Sequence, residues 1–166
     1  NLASQFPEAT LYVSIDLGFN DLRPCREASF RTPGCSDTAI GAVRANISTL
    51  VTRLRSSVSN PLSFVGLTHD DPFVVSSLLG GQADLAVASV TAVNQLNSAL
   101  MSTYATLGIP VVDVAALFST GNTTPVAYAP FGTITTEQAR VCDWTWMCAV
   151  SPFGPNIHMN NAGYAV

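Results

Sequence analysis

The amino-acid sequence predicts an α/β domain built on an open, mostly parallel β-sheet. Three observations carry that prediction. The chain has 166 residues, enough for one sizeable core and too few for two. Its apolar residues change period along the chain, from uncharged β-branched runs to positions three and four apart. The two patterns alternate as strand, helix, strand, helix, strand, and a right-handed crossover through each helix then sets successive strands parallel.

The first element is "TLYVSIDL", residues 10–17, β-branched and aromatic without charge until Asp16 and closed by Gly18, which reads as a buried strand. A loop follows to about residue 36, holding "RPC" and "RTPGC". "SDTAIGAVRANISTLVTRLRSSVSN" then places Ile40, Val43, Ile47, Leu50 and Leu54 at helical steps, with Ser36 or Asp37 available as N-cap. "PLSFVGLTH" is a second apolar strand that ends in the turn "DDPF", residues 70–73. A second helix is predicted from Gln82 to Leu107 through Leu85, Ala88, Ala92, Leu96, Leu100 and Tyr104, with Gly108 as its stop. "IPVVDVAALF" is a third strand running into a short helical turn, and residues 119–133 are loop by composition. "TTEQARVCDWTWMC" opens a helix capped by Thr135 or Thr136, "PNIHMNNAGY" is a loop, and "NNAGYAV" is the first turn of a final helix.

Composition narrows the function classes. Only 11% of residues are charged, so Ser, Thr, Asn, Gln and Gly must cover much of the surface, which suits an extracellular protein. All seven basic residues are arginines scattered without a run, and no nucleic-acid footprint is present. Every apolar stretch is short and interrupted, so no membrane span is expected. The N-terminal "NLASQFPEAT" has no signal-peptide pattern, which leaves open that a leader was removed. Cys25, Cys35, Cys142 and Cys148 form two local pairs without zinc-site spacing; two disulfides is the first reading and buried free thiols the other. Asn46 and Asn122 begin short glycosylation sequons.

In an open parallel sheet the chemistry gathers at the carboxyl ends of the strands. Three loops qualify: "GFND" after the first strand, "THDDPF" after the second, and the turn after Asp113. Taken alone, "GFND" is ordinary turn chemistry, although an amide fixed there can donate to a developing oxyanion. A lone histidine such as His158 is more often a surface residue than a catalytic base. Trp144 and Trp146 read as core or loop anchors beside a cysteine pair. His69, Asp70 and Asp71 are contiguous and point apart, so neither a metal nor a cofactor is expected.

Together these patterns resemble a known family. "LGFNDLRPC", "DPF" after the next strand, "VCDWTWMC" and "GPNIHMNNAGYAV" occur in the order of the SGNH (GDSL-type) hydrolases, serine esterases and lipases, and look most like secreted, disulfide-containing actinobacterial members. The resemblance implies a three-layer αβα sandwich of flavodoxin-like form, with residues 1–166 as the C-terminal portion of one domain. Asn20 would be a side-chain oxyanion donor and His158 the general base. Phe19, Asp71 and Phe73 would line the acyl site, and Cys25–Cys35 and Cys142–Cys148 would clamp the loops carrying Asn20 and His158.

Relatives place an aspartate just before the histidine, where this chain has Pro155 and Asn156. Asn156 would orient His158 by hydrogen bonding, the Pro155 carbonyl could do the same, and Asp113 or Asp143 would substitute if the fold brings them near. The family's Gly-Asp-Ser motif and its oxyanion glycine block do not occur in the sequence. The expectation is therefore an esterase acting on carboxylic esters, whose serine lies on an upstream segment, missing or cleaved, that leaves a gap in the middle of the sheet. The alternatives are a non-catalytic SGNH-like binding domain and a hydrolase with its serine in "VVSSL", residues 74–78.

Overall fold

The computed structural model describes residues 2–28 and 30–166. Strands β1 (Leu11–Ile15), β2 (Leu62–Leu67) and β3 (Val111–Val112) form a parallel sheet in that order. A short N-terminal helix, α1 (Leu2–Gln5), precedes β1; α2 (Arg23–Glu27) and α3 (Cys35–Ser57) join β1 to β2, and α4 (Ala83–Thr106) joins β2 to β3. The remainder comprises α5 (Val114–Leu117), the hairpin β4 (Pro125–Tyr128) and β5 (Gly132–Thr135), α6 (Thr136–Trp144), and the pair β6 (Thr145–Trp146) and β7 (Asn156–Met159).

Strand periodicity decides which sheet face the helices cover. Val13 pairs with Phe64 and Ile15 with Gly66, so these residues share a face. Against it pack Ile40, Val43, Ile47 and Val51 of α3 and Leu96, Leu100 and Tyr104 of α4. Gly66 is required by this packing: a Cβ there would lie 2.5 Å from the Tyr104 ring. The Tyr104 hydroxyl donates to the Ile15 carbonyl at 3.3 Å, and burial pushes its pKa up to about 12.

The opposite face is open over β1, where Tyr12 is 83% exposed and Ser14 and Ser63 also face solvent. The fold is thus mixed α/β with helices packed on one face of a three-strand sheet, where the resemblance implied three layers. The expected gap in the sheet is also not seen. The three strands pair consecutively, and among the described residues β1 pairs with β2 alone. A second core joins Val74 and Val75, in the 3₁₀ turn Pro72–Ser77, to Phe118, Val141, Cys142 and Met147.

Several predicted elements shift. Helix α3 starts at Cys35 after Gly34 in left-handed conformation, without a side-chain cap from Ser36 or Asp37. Val51, four residues after Ile47, continues its buried stripe, and Leu50 is turned to solvent. The loop predicted before α3 contains a 3₁₀ turn, Phe19–Leu22, and α2, which tolerates Pro24 because its first turn needs no N–H. Residues 119–133, read as loop, contribute β4 and the start of β5, joined through Pro130 and Gly132. Thr135 caps α6 in a capping box with Gln138. The C-terminal turn is a 3₁₀ segment, Gly163–Ala165. Disulfides join Cys25 to Cys35 and Cys142 to Cys148. No helix among the described residues is long and apolar enough to cross a membrane.

Candidate active site

A cleft of about 310 Å³ opens at the carboxyl ends of β1 and β2, and both Asn20 and His158 line it. Asn20 comes from the 3₁₀ turn that follows β1. Gly18 makes that turn possible with φ of 117°, and a Cβ there would press within 3.1 Å of Leu96 and Val43. The Asn20 side chain is exposed and has no hydrogen-bond partner among the described residues, so its amide is free to donate into the cleft.

The turn that carries Asn20 is braced from the adjacent strand end. The His69 Nε2–H donates to the Leu17 carbonyl at 3.1 Å, and its Nδ1 faces Asp16 at 3.5 Å. Asn97 of α4 holds His69 from both sides, accepting from its N–H at 2.8 Å and donating to its carbonyl at 2.7 Å. The Phe19 ring packs between His69 and Phe73, with centroids 5.7 and 5.8 Å away. His69 was read from the sequence only as one of three contiguous polar residues. Its partners are backbone groups and a residue on a distant helix, which short spacing does not reveal.

His158 lies on β7, where a loop was expected. Its backbone N–H donates to Asn156 Oδ1 at 2.9 Å, which orients the amide, and His158 Nδ1 lies 2.6 Å from the same oxygen. An amide oxygen only accepts, so Nδ1 carries the hydrogen and Nε2 keeps its lone pair. That is the tautomer a general base needs.

The residues after His158 fix the strand in place. Asn160 donates to the carbonyls of Asp143 and Thr145 and accepts from the N–H groups of Ala162 and Gly163. Gly163 lies where a Cβ would stand 2.1 Å from the Trp144 carbonyl, so no larger residue fits. The Cys142–Cys148 bridge ties the end of α6 to the chain leaving β6, the partner of β7.

Other predicted residues fall elsewhere. Phe19 lines the cleft, and Phe73 walls a small chamber beside it. Asp71 does not reach the cleft: it is 0% exposed, accepting from the Phe73 N–H at 3.0 Å and from Ser89 Oγ at 2.8 Å. Burial raises its carboxyl to about 7. Asp113 accepts from Thr68 and caps α5, and Asp143 accepts from Tyr128, so neither serves His158. Pro155 likewise makes no hydrogen bond to it, Asn156 filling that role. Trp144 packs edge-on to Phe118 and Trp146 stacks on Phe153, both outside the cleft.

Asp70, Ile157, Met159 and Tyr164 were not predicted to line the cleft, yet all do. Asp70 Oδ2 is buried without a hydrogen-bond partner among the described residues, and burial raises the carboxyl to about 6. Among the described residues no serine lines the cleft, and the threonine that does, Thr68, is engaged with Asp113 and the Ala115 N–H. In the 74–78 segment Ser76 is buried, and Ser77 Oγ accepts from Gln138. Among the described residues no three metal-ligating side chains are gathered to share an ion. Compared with protein-family models, curated proteins and solved structures, the chain matches none.

Proposed function

We propose that this chain bears the base and oxyanion donor of a secreted serine ester hydrolase of the SGNH type. One observation carries the proposal: Asn20 and His158, from opposite ends of the chain, share one cleft, with His158 held by Asn156 in the base-competent tautomer. In this reading a serine hydroxyl from an upstream segment attacks the ester carbonyl. His158 Nε2 takes the serine proton and returns it to the departing alkoxide, and the Asn20 amide donates to the carbonyl oxygen as it gains negative charge. Water then repeats the sequence on the acyl-enzyme, with His158 again as base, and releases the acid.

The edge of β1 that no described strand pairs with, and the exposed Tyr12 and Ser14, support the same reading. They offer a place where further strand and helix units could pair and pack, completing a flavodoxin-like sandwich. Two disulfides fit an oxidising compartment and thus secretion. That His158 Nδ1 meets the Asn156 amide oxygen rather than a carboxylate, and that no serine lines the cleft among the described residues, favours a second reading, a binding domain of the same fold.

Fluorophosphonate labelling of the purified protein, with any polypeptide that accompanies it, separates the two. A label on a Gly-Asp-Ser peptide supports the hydrolase. No label and no ester turnover supports the binding domain, and a label within residues 1–166 overturns both.

A further inference from the structure

Beside Asn20 lies a second, smaller chamber of about 30 Å³, whose lining includes Phe19, Leu22, Phe73, Val93 and Ile157. Leu22 and Val93 at its base belong to the buried core. Phe19, Asn20 and Ile157 also line the main cleft, so the chamber opens from the point where an ester carbonyl would meet the Asn20 amide. Besides Asn20 its lining includes Phe30 and two charged residues, Arg23 and Arg26, and the Arg26 guanidinium lies over the Phe73 ring at 5.2 Å. The Cys25–Cys35 bridge fastens the helix that carries both arginines.

Resting on the ester-hydrolase reading, we infer that this chamber receives the acyl end of the substrate and restricts the enzyme to short-chain esters. A volume of about 30 Å³ accommodates one or two water-sized groups, hence an acyl group of about two or three carbons. Phe73 and Ile157 set the limit. Together with Arg26 they also line a separate groove of about 770 Å³, so these side chains stand between the chamber and that open space. Shortening either joins the chamber to that groove and makes room for a longer chain.

The test is kcat/KM for p-nitrophenyl esters from acetate to decanoate, measured on the purified protein with any accompanying polypeptide, for wild type, Phe73→Ala and Ile157→Ala. In the wild type kcat/KM falls at least about tenfold from acetate to octanoate, the scale on which a hydrophobic pocket discriminates by chain length. In either variant the octanoate-to-acetate ratio rises at least about tenfold, a comparison within one protein that a general loss of stability does not move. A wild type that prefers octanoate or shows a flat profile overturns the inference and leaves the hydrolase reading standing, as do hydrolysing variants whose ratio stays at the wild-type value. Absence of turnover for every ester overturns the hydrolase reading and this inference with it.

Discussion

Asp71→Asn should make the protein more stable at neutral and alkaline pH and leave it almost unchanged in acid. Asp71 is 0% exposed, and burial, opposed only in part by hydrogen bonds from Ser89 and the Phe73 N–H, raises its carboxyl from 3.8 to about 7. Below pH 3.8 the acid is protonated in both folded and unfolded chains. Between 3.8 and 7 the unfolded chain releases the proton that the folded chain keeps, so stability falls as pH rises. Above 7 the full penalty applies, about 4 kcal/mol for a shift of this size. An asparagine retains an oxygen for the Phe73 N–H, and Ser89 Oγ can turn to the Ala86 carbonyl, which it already reaches at 3.1 Å. Urea unfolding at pH 4.5 and 8 should show the variant's advantage growing by about 3 kcal/mol. Asp70 and Glu137 are present in both proteins, and their charges act on Asp71 less than burial does. A difference that stays constant between the two pH values refutes the reasoning, because it means the carboxyl titrates as a solvated acid.

Three further outcomes follow from the same packing. His158→Ala should abolish ester turnover while Asn156→Asp leaves it unchanged or raises it, since a carboxylate keeps the Nδ1 contact and adds charge to stabilise an imidazolium; a fully active His158→Ala ends the case for that residue. Gly66→Ala should cost about 1–3 kcal/mol in denaturant unfolding, because a Cβ 2.5 Å from the fully buried Tyr104 ring displaces the centre of the core; an unchanged midpoint argues against that packing. Replacing Cys142 and Cys148 by serine should lose about 2 kcal/mol, the scale for a small ring, and reduce turnover by loosening the support of β7; full activity after the exchange means that Asn160 alone holds the strand.

The sequence revealed most where one physical pattern dominated. Helices α3 and α4 were legible because apolar residues at steps of three and four run for 20 residues or more, and β1 and β2 because charge is absent. The short pairs β4–β5 and β6–β7 were not, since the Pro, Gly, Asn and Thr in and around them have the composition of loops and strands of two to four residues are too short to show an alternating pattern. In the cleft, Asn20 and His158 were legible from their surrounding motifs. Neither the hold of Asn97 on the His69 backbone nor the inward turn of Asp71 carries a signal in the local sequence. Such roles are set by which side of a turn a residue takes, and a slip of one position reverses it.

The brace around Asn20 bears on how a serine from outside this chain could work in the proposed hydrolase. The contacts that hold the Asn20 turn come from His69, Asn97 and Phe73, and those that hold His158 come from Asn156 and Asn160; all belong to this chain. None of them uses the free edge of β1 or the open sheet face. In that reading the turn that carries the donor and the ring of the base are positioned in advance, and electrostatic catalysis gains from groups that need little reorganisation when charge develops. A segment that pairs with β1 then has only to deliver its hydroxyl to within hydrogen-bond reach of His158 Nε2. The demand for precision falls on one strand register, and register is what a buried sheet face specifies most strongly.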